Sequence, residues 1–283
     1  MFANYCVHKV ADDTKKLSQL VDKLKAGLPA TNLVYVCARN ARDNKILSNF
    51  YTDGWPDFSS IVCQIKKPRV SDESDLLCYS TCEKRLLPLL QESGVITWGR
   101  WQVIDGLESD HADNLVDVLK SINSTAKGQV EARYEGSLLY YPYKHVQPPP
   151  SIPGFTLDKL QPRHLKHVVD DFTLYPERGQ HVVEKYLDHL IRHFHSAAVF
   201  KSDNLSKPLG WIYMTAHGGG GLHHVDEEFR GKGISTILRI ELIRQMIANG
   251  DIAMGLFDRE HVGLGWLTGG VELHSIKKVV LTE

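Results

Sequence analysis

Apolar residues recur at helical spacing in several stretches of the chain. Leu17, Leu20, Val21 and Leu24 lie at positions i, i+3, i+4 and i+7, so they form one stripe on a helix that Gly27 can end. The same spacing predicts further helices over 83–91, 115–122, 165–172, 183–194 and from about 235 to 249.

Other apolar runs are short and bounded by turn residues, and they predict strands. In the first half these lie at 33–38, 60–65, 101–104 and 138–141, and in the second half at 155–160, 197–200, 210–215, 222–225, 253–257 and 277–281. The spacer 202–207 predicts a hairpin between two of the later strands. Helices and strands that alternate with short connections indicate an α/β or α+β fold.

A proline-rich segment separates the two halves of this pattern. Four prolines fall between positions 148 and 153 of a chain of 283 residues, and they favour an extended, stiff connector. The length is enough for two domains that each bury a core. We therefore predict an N-terminal domain over 1–147 and a C-terminal domain over 148–283.

The charge and the composition exclude several classes of protein. Basic and acidic residues number 18 and 18 before the proline run and 15 and 16 after it, so neither half has the basic surplus that nucleic-acid binding requires. No apolar run is long enough to span a bilayer, and the first residues lack the apolar core of a secretion signal. The five cysteines are scattered, which favours buried free thiols over disulfides or a zinc site.

The segment after the predicted strand 222–225 has the composition of an anion-binding turn. It reads Arg-Gly-Lys-Gly-Ile-Ser over 230–235 and leads into the long helix. Glycines let the backbone approach an anion closely, and the start of a helix presents unpaired N–H groups at the positive end of its dipole. The glycine spacing matches neither a P-loop nor a dinucleotide-binding turn, but a pyrophosphate fits such a place.

Arg230, Gly233 and Ser235 occupy the fixed places of the pattern Arg-x-x-Gly-x-small. This pattern resembles the acyl-CoA-binding motif of the GNAT acyltransferases, and the order of predicted elements over 155–283 is also similar to that fold. The alternative is a glycine-rich helix start with a solvated charge cluster.

Motifs in the first half of the chain, with others in the second, resemble one particular family of acyltransferases. Trp55-Pro56-Asp57-Phe58, together with 28–35 and 95–98, resembles the N-terminal region of the glycine N-acyltransferase family, and 177–180, 210–211 and 228–230 are similar to its C-terminal motifs. The resemblance implies a GNAT domain preceded by a degenerate GNAT-like half. It also implies transfer of an acyl group from acyl-CoA, a co-substrate rather than a bound cofactor, to glycine or another small amino acid. Mitochondria are the location that it implies, with the cytoplasm as the alternative.

The same resemblance suggests roles for individual residues. Glu228 matches the glutamate that acts as general base. Independently of the resemblance, His223 and His224 alternate across the predicted strand, so one of them should face the cleft and could relay a proton. Arg178, in the loop where such folds hold the acceptor, is the candidate partner of a substrate carboxylate. The CoA-binding candidates are the backbone amide of Val225 for the pantetheine arm and, around the pyrophosphate, Arg230, Gly231, Lys232, Gly233, Ile234 and Ser235.

The sequence leaves two other functions open as alternatives, and it contains one set of residues that could bind a metal ion. The family has an asparagine where this chain reads Asp258-Arg259-Glu260-His261, so a CoA-binding protein without catalysis is one alternative. A GNAT enzyme that acts on a polyamine or a protein amine is the other, although it requires an acidic groove. His189 and His193, with Asp188, could bind a metal ion, but such a pair is more often solvated, so we predict no metal.

Overall fold

The computed structural model of the chain describes residues 7–10, 13–66, 74–98, 102–122, 129–171, 180–258 and 262–282. Its helices are α1 (Thr14–Ala26), α2 (Asn32–Arg42), α3 (Glu83–Glu92), α4 (Ser109–Ile122), α5 (Leu165–Asp170), α6 (Gln180–His193), α7 (Ile234–Ala248) and α8 (Val262–Leu267). Across the described residues, none of these helices combines the length and the apolarity needed to cross a bilayer.

The strands are numbered in chain order. They are β1 (His8–Lys9), β2 (Leu47–Thr52), β3 (Ser60–Lys66), β4 (Ser74–Ser80), β5 (Gln102–Glu108), β6 (Gln129–Tyr140), β7 (Phe155–Asp158), β8 (Ser196–Lys201), β9 (Asn204–Met214), β10 (Gly219–Val225), β11 (Met254–Asp258) and β12 (Val271–Thr282). The order β-α-α-β-β-β-α-β-α-β therefore occurs twice, once from β1 to β6 and once from β7 to β12.

The chain forms two compact units, and their limits differ from the domain limits that we predicted. One unit is Met1–Ser137 with Leu273–Glu283, and the other is Leu138–Glu272. The proline run thus lies inside the second unit, because β6 has already ended at Tyr140 and the prolines only connect it to β7. The last strand of the chain returns to the first unit, which a boundary drawn from local composition could not show.

The first unit has a mixed sheet in the order β1-β2-β3-β4-β5-β12-β6. β1 to β4 are antiparallel neighbours, β5 is parallel to β4, and β12 is antiparallel to β5. Apolar residues of α3 and α4 pack on β3, β4, β5 and β12 in one buried cluster. Val279 and Leu281 of β12 belong to that cluster, so the end of the chain completes this core.

Helix α2 corrects one prediction, because we expected a strand over 33–38. All residues from Asn32 to Ala38 are buried, so the helix shows no alternation of buried and exposed positions. A continuous apolar run does not distinguish a buried helix from a buried strand, and its β-branched residues misled the prediction.

Three cysteines of the first unit are buried thiols. Burial raises the pKa of the Cys37 and Cys78 thiols. Together with Cys63 they are buried thiols outside any disulfide, as predicted. Cys82 is also outside any disulfide but only half-buried, and Cys6 lies outside the described residues.

The second unit has a sheet in the order β6-β11-β10-β9-β8-β7, with β6 contributing its last residues. β7 to β10 are antiparallel neighbours, and β11 is parallel to β10. The hairpin of β8 and β9 is confirmed, but its turn is only residues 202–203, because β9 begins at Asn204. Apolar residues of α5 and α6 pack on Phe200, Trp211 and Tyr213 of these strands. Helix α7 lies against β8, β9 and β10.

The buried place of β12 gives a test of the fold. We expect Leu281→Ala to lower the free energy of unfolding by about 2–5 kcal/mol, because Leu281 is 1% exposed in the first unit's core and its loss leaves a cavity. Leu47→Ala is the matched control in the same unit, since Leu47 is 72% exposed and should cost less than about 0.5 kcal/mol. Urea unfolding measures both variants. Equal stabilities would show that β12 does not pack as described.

Candidate functional site

Strands β10 and β11 are paired over only part of their lengths. Gly219 faces Met254 and Gly220 faces Gly255, and no later pair is recorded within the described residues of the two strands. β10 instead stays paired with β9 as far as Val225. We call the unpaired ends, 221–225 of β10 and 256–258 of β11, the fork.

A β-bulge marks the point where β10 leaves its partner. The register with β9 shifts between Gly221 and His224, and Leu222 in between has a φ of 53°. This backbone region is unfavourable for a branched side chain, and such conformations concentrate at functional sites. The bulge bends and twists the strand, which accounts for its separation from β11.

The fork leaves backbone donors available for a ligand. The N–H of Asp226 donates to the Leu209 carbonyl of β9 at 2.8 Å. Since successive N–H groups point to opposite edges of a strand, the N–H of Val225 points to the open edge. An extended ligand with amide groups, such as the pantetheine arm of CoA, can bind there as an added strand would.

The segment from β10 to α7, residues 226–233, forms what we call the glycine loop. Gly231 and Gly233 have φ values of 74° and 77°, and a Cβ added at either would meet no atom within 4 Å. Gly233 is also the N-cap of α7 and supplies no capping side chain. The first N–H groups of α7, including that of the half-buried Ser235, therefore face an open surface, which suits an anion such as a pyrophosphate.

The other residues of the loop take more specific positions than the sequence predicted. Arg230 donates from Nε to the Val225 carbonyl at 3.1 Å, so its side chain holds the end of β10. The Lys232 ammonium lies 4.8 Å from the ring centroid of Phe229, a cation–π distance, and Lys232 is exposed. The Ile234 side chain is buried, so only its backbone can reach a ligand.

The two residues proposed for proton transfer have different surroundings. Glu228 is exposed on a one-turn 3-10 helix, Glu227–Phe229, and the described residues give it no recorded hydrogen bond. His223 is exposed, whereas His224 is half-buried and stacks on Trp211 with ring centroids 4.4 Å apart and an interplanar angle of 20°.

His224 belongs to a group of ionisable residues from separate elements, which the sequence did not reveal. Its Nε2 is 3.1 Å from Oδ1 of Asp226, and the ligand atoms of Asp171, His224 and Asp226 all lie within 4.8 Å of one another. The Lys207 ammonium is 3.6 Å from Oδ2 of Asp226. These four residues and Trp211 are called the His224 cluster below. They come from α5, β9 and β10, so no short motif could predict them.

Metal binding has two candidate sets of residues. Asp171, His224 and Asp226 are ligand types that a divalent cation accepts. However, Lys207 already balances charge at Asp226, which favours an ion-pair network. In the set considered from sequence, the His189 and His193 rings lie 4.7 Å apart, but both oxygens of Asp188 accept from Arg192 at 2.8 and 2.9 Å.

Arg239 is a buried cation that the sequence analysis did not single out. The residue is 8% exposed on α7, and its guanidinium carbon is 5.1 Å from the ring centroid of Phe257 in β11. Burial lowers the pKa of Arg239, and the nearby Tyr141 partly offsets this. The buried residues of α7 lie on more than one face of the helix, so its apolar pattern did not mark Arg239 as buried. Arg178 and the segment 259–261, both singled out from sequence, lie outside the described residues.

The first unit differs from the second at the equivalent place, although β4 and β5, like β10 and β11, share only two recorded parallel pairs among the described residues. Only Thr81 and Cys82 separate β4 from α3, and neither is glycine. A Cβ added at Gly106 of β5 would lie 2.9 Å from the carbonyl oxygen of Cys78 in β4, so the two backbones stay in close contact there. The candidate site is therefore confined to the second unit.

Comparisons with known proteins identify the fold. A scan against protein-family models and a search of curated proteins found no match. Among solved structures, the chain is similar to a Drosophila protein with a TM-score of 0.79 and 15% identity, covering 99% of both chains. It is also similar to a GCN5-related N-acetyltransferase from Sphaerobacter thermophilus, with a TM-score of 0.55, 11% identity and coverage of 97% and 95%.

An acetyltransferase of the GNAT family from Colwellia psychrerythraea gives a TM-score of 0.51 with 12% identity over 99% of this chain and 100% of its own. The chain therefore has the fold of the GNAT acetyltransferases across nearly its whole length, which confirms the predicted fold class. Nothing in these comparisons is specific to the glycine N-acyltransferases, so that narrower resemblance stays a prediction.

The glycine loop gives a test with an internal control. We expect Gly233→Val to weaken acyl-CoA binding by at least about tenfold, or 1.4 kcal/mol, because a side chain would occupy the surface in front of the α7 amides. Gly250→Val is the matched control, since Gly250 follows the other end of α7 with a φ of 78° and equally open surroundings. Calorimetric titration with acetyl-CoA measures both. Equal affinities would contradict the assignment of the loop.

Proposed function

We propose that this chain is an enzyme that transfers an acyl group from acyl-CoA to a primary amine at the fork of the second unit. The main support is the fork itself, an unpaired strand edge that leads directly to a glycine loop and the uncapped start of α7. This arrangement suits a ligand with an extended amide arm and a diphosphate, which is the chemistry of CoA. The names of the GCN5-related and GNAT-family acetyltransferases with this fold support the same activity.

In this proposal the residues predicted from sequence have different roles in the binding of CoA. Val225 offers a backbone amide to the pantetheine arm, while Gly231, Gly233, Ile234 and Ser235 offer backbone amides to the diphosphate. Lys232 adds a positive charge that is free to move toward a phosphate, because its cation–π contact is at the surface. Arg230 acts indirectly, since it holds the Val225 carbonyl. Acyl-CoA is a co-substrate, and no permanently bound cofactor is required.

We further propose that the acceptor is glycine or another small amino acid. The Trp55–Phe58 block and the other motifs that resemble the glycine N-acyltransferases support this choice. Arg178 is the proposed partner of the acceptor carboxylate, because a guanidinium matches a carboxylate in geometry. The same resemblance supports a mitochondrial location, with the cytoplasm as the alternative.

In the reaction the amine loses one proton, a C–N bond forms and the C–S bond of the thioester breaks. The amine nitrogen attacks the thioester carbonyl, the C–N bond forms and an N–H proton passes to a base. The C–S bond then breaks, and the CoA thiolate leaves and accepts a proton. Glu228 and His224 are the proposed groups for the proton, since one lies on the turn after β10 and the other on β10 itself.

A panel of acceptors tests the proposed function. Free thiol released from acetyl-CoA and benzoyl-CoA is measured with glycine, other amino acids, glycinamide, spermidine and a lysine peptide. We expect release that depends on glycine. Release only with spermidine or the peptide would favour the alternative acceptors. Binding of acyl-CoA without release would favour a CoA-binding protein, an alternative that the sequence 258–261 suggests.

A second test concerns the carboxylates of the one-turn helix after β10. We expect Glu228→Gln to lower kcat at neutral pH by about 10²-fold, with partial recovery at high pH, where more of the acceptor is free amine. Glu227→Gln on the same turn shows which of the two adjacent carboxylates acts. Stopped assays over a range of pH measure both. Kinetics of Glu228→Gln that match the wild type at every pH would remove Glu228 from the mechanism.

A further inference from the structure

We infer that Asp226 is a positioning residue that holds the imidazole of His224 so that its Nδ1 atom is the base for the acceptor amine. This inference rests on the proposed function, and it names the atom that accepts the proton. Its evidence is the geometry of the His224 cluster, whose members come from separate elements.

The imidazole is fixed from several sides. Trp211 stacks on the ring with centroids 4.4 Å apart, and Oδ1 of Asp226 lies 3.1 Å from Nε2. Asp226 is itself fixed, because its N–H donates to the Leu209 carbonyl and its Oδ2 lies 3.6 Å from the Lys207 ammonium. The ring and its partner are therefore held by residues of β9, which pairs with one edge of β10, while the opposite edge of β10 is the fork.

The hydrogen bond decides which ring nitrogen bears the proton. A carboxylate offers only acceptor atoms, so Nε2 of His224 must be the N–H donor. In the neutral ring the second nitrogen, Nδ1, then has a free lone pair. Within the described residues no hydrogen bond to Nδ1 is recorded. The cluster thus selects one tautomer and leaves one defined basic atom.

The charges around the ring also suit a base. Asp226 from the segment after β10 and Asp171 at the end of α5 each have a carboxylate oxygen within 4.8 Å of a ring nitrogen of His224, so both are acidic groups beside the ring that receives the proton. Lys207 of β9 is the one described cation recorded in the cluster, and it lies on the far oxygen of Asp226. A carboxylate also orients the catalytic imidazole of a Ser-His-Asp triad, although there it binds Nδ1–H and leaves Nε2 as the base.

The proton transfer follows from this geometry. As the amine nitrogen forms its bond to the thioester carbon, its proton moves to Nδ1, and Nε2–H stays bonded to Asp226. The imidazolium then returns the proton to the departing thiolate or to water, which restores the neutral ring. Glu228, on the exposed turn after β10, then relays this proton between the imidazolium and solvent, which is the contribution that Glu228→Gln measures.

Two measurements test the inference. The first is histidine ¹⁵N NMR without substrate at a pH of about 9, where an ordinary imidazole is neutral, with the His224 signals assigned by their loss in His224→Gln. We expect the Nε2–H tautomer in the wild type. In Asp226→Asn the side-chain amide can donate to Nε2, so we expect a larger share of the Nδ1–H tautomer.

The second measurement is steady-state kinetics with the acceptor found in the panel. We expect Asp226→Asn to lower kcat by about 10–100-fold, because a positioned base contributes about 10²–10⁴-fold and the imidazole remains. The KM for acyl-CoA should be unchanged. Asp226→Glu keeps the carboxylate and should retain a higher kcat than the asparagine variant. Asp113→Asn, which removes a carboxylate bonded to Lys277 in the first unit, should match the wild type.

The outcomes separate this inference from the proposed function. An Nδ1–H tautomer in the wild type, or a kcat of Asp226→Asn equal to that of Asp113→Asn, would overturn the positioning role even in an active enzyme. A wild type that releases no thiol with any amine would overturn the proposed function and the role of Nδ1 as base. The NMR signals alone would then decide whether Asp226 positions the ring.

Discussion

The arrangement of the site depends on one strand that is paired along one edge and unpaired along part of the other. β10 keeps its hydrogen bonds to β9 as far as Val225, but it shares only two recorded residue pairs with β11. An unpaired backbone edge is costly when buried, so it is stable only where solvent or a ligand supplies the missing partners. The bulge at Leu222, the glycine loop and the His224 cluster all lie on or next to this strand.

The two units show how one order of elements gives different sites. In both units a helix connects two parallel strands, β4-α3-β5 in the first and β10-α7-β11 in the second. Only in the second does the connection from the first of these strands to the helix contain glycines. In the first unit the connection is two residues long, Arg85 of α3 pairs with the buried Asp53, and Gly106 brings β5 against β4. These contacts stabilise the unit and bring β4 and β5 into close contact at Gly106.

Much of the fold could be predicted from the sequence, because amphipathic helices such as α1 and α6 have one buried face. The elements that were missed lack such a signal: α2 is buried at every position from Asn32 to Ala38, and β2 and β4 are short and partly polar. The glycine loop could be predicted because its residues are consecutive. The His224 cluster could not, since Asp171 and Lys207 reach it from other elements and the bulge decides which histidine turns inward.

The return of β12 to the first unit has a consequence for synthesis on the ribosome. A nascent chain exposes the edge of β5 during translation of the whole second unit, because β12, the strand that covers it, follows that unit in sequence. An uncovered edge of a sheet pairs readily with other chains. The first half of this protein is thus made before it can finish folding, and chaperone demand in a cell should rise with any pause in translation before codon 271.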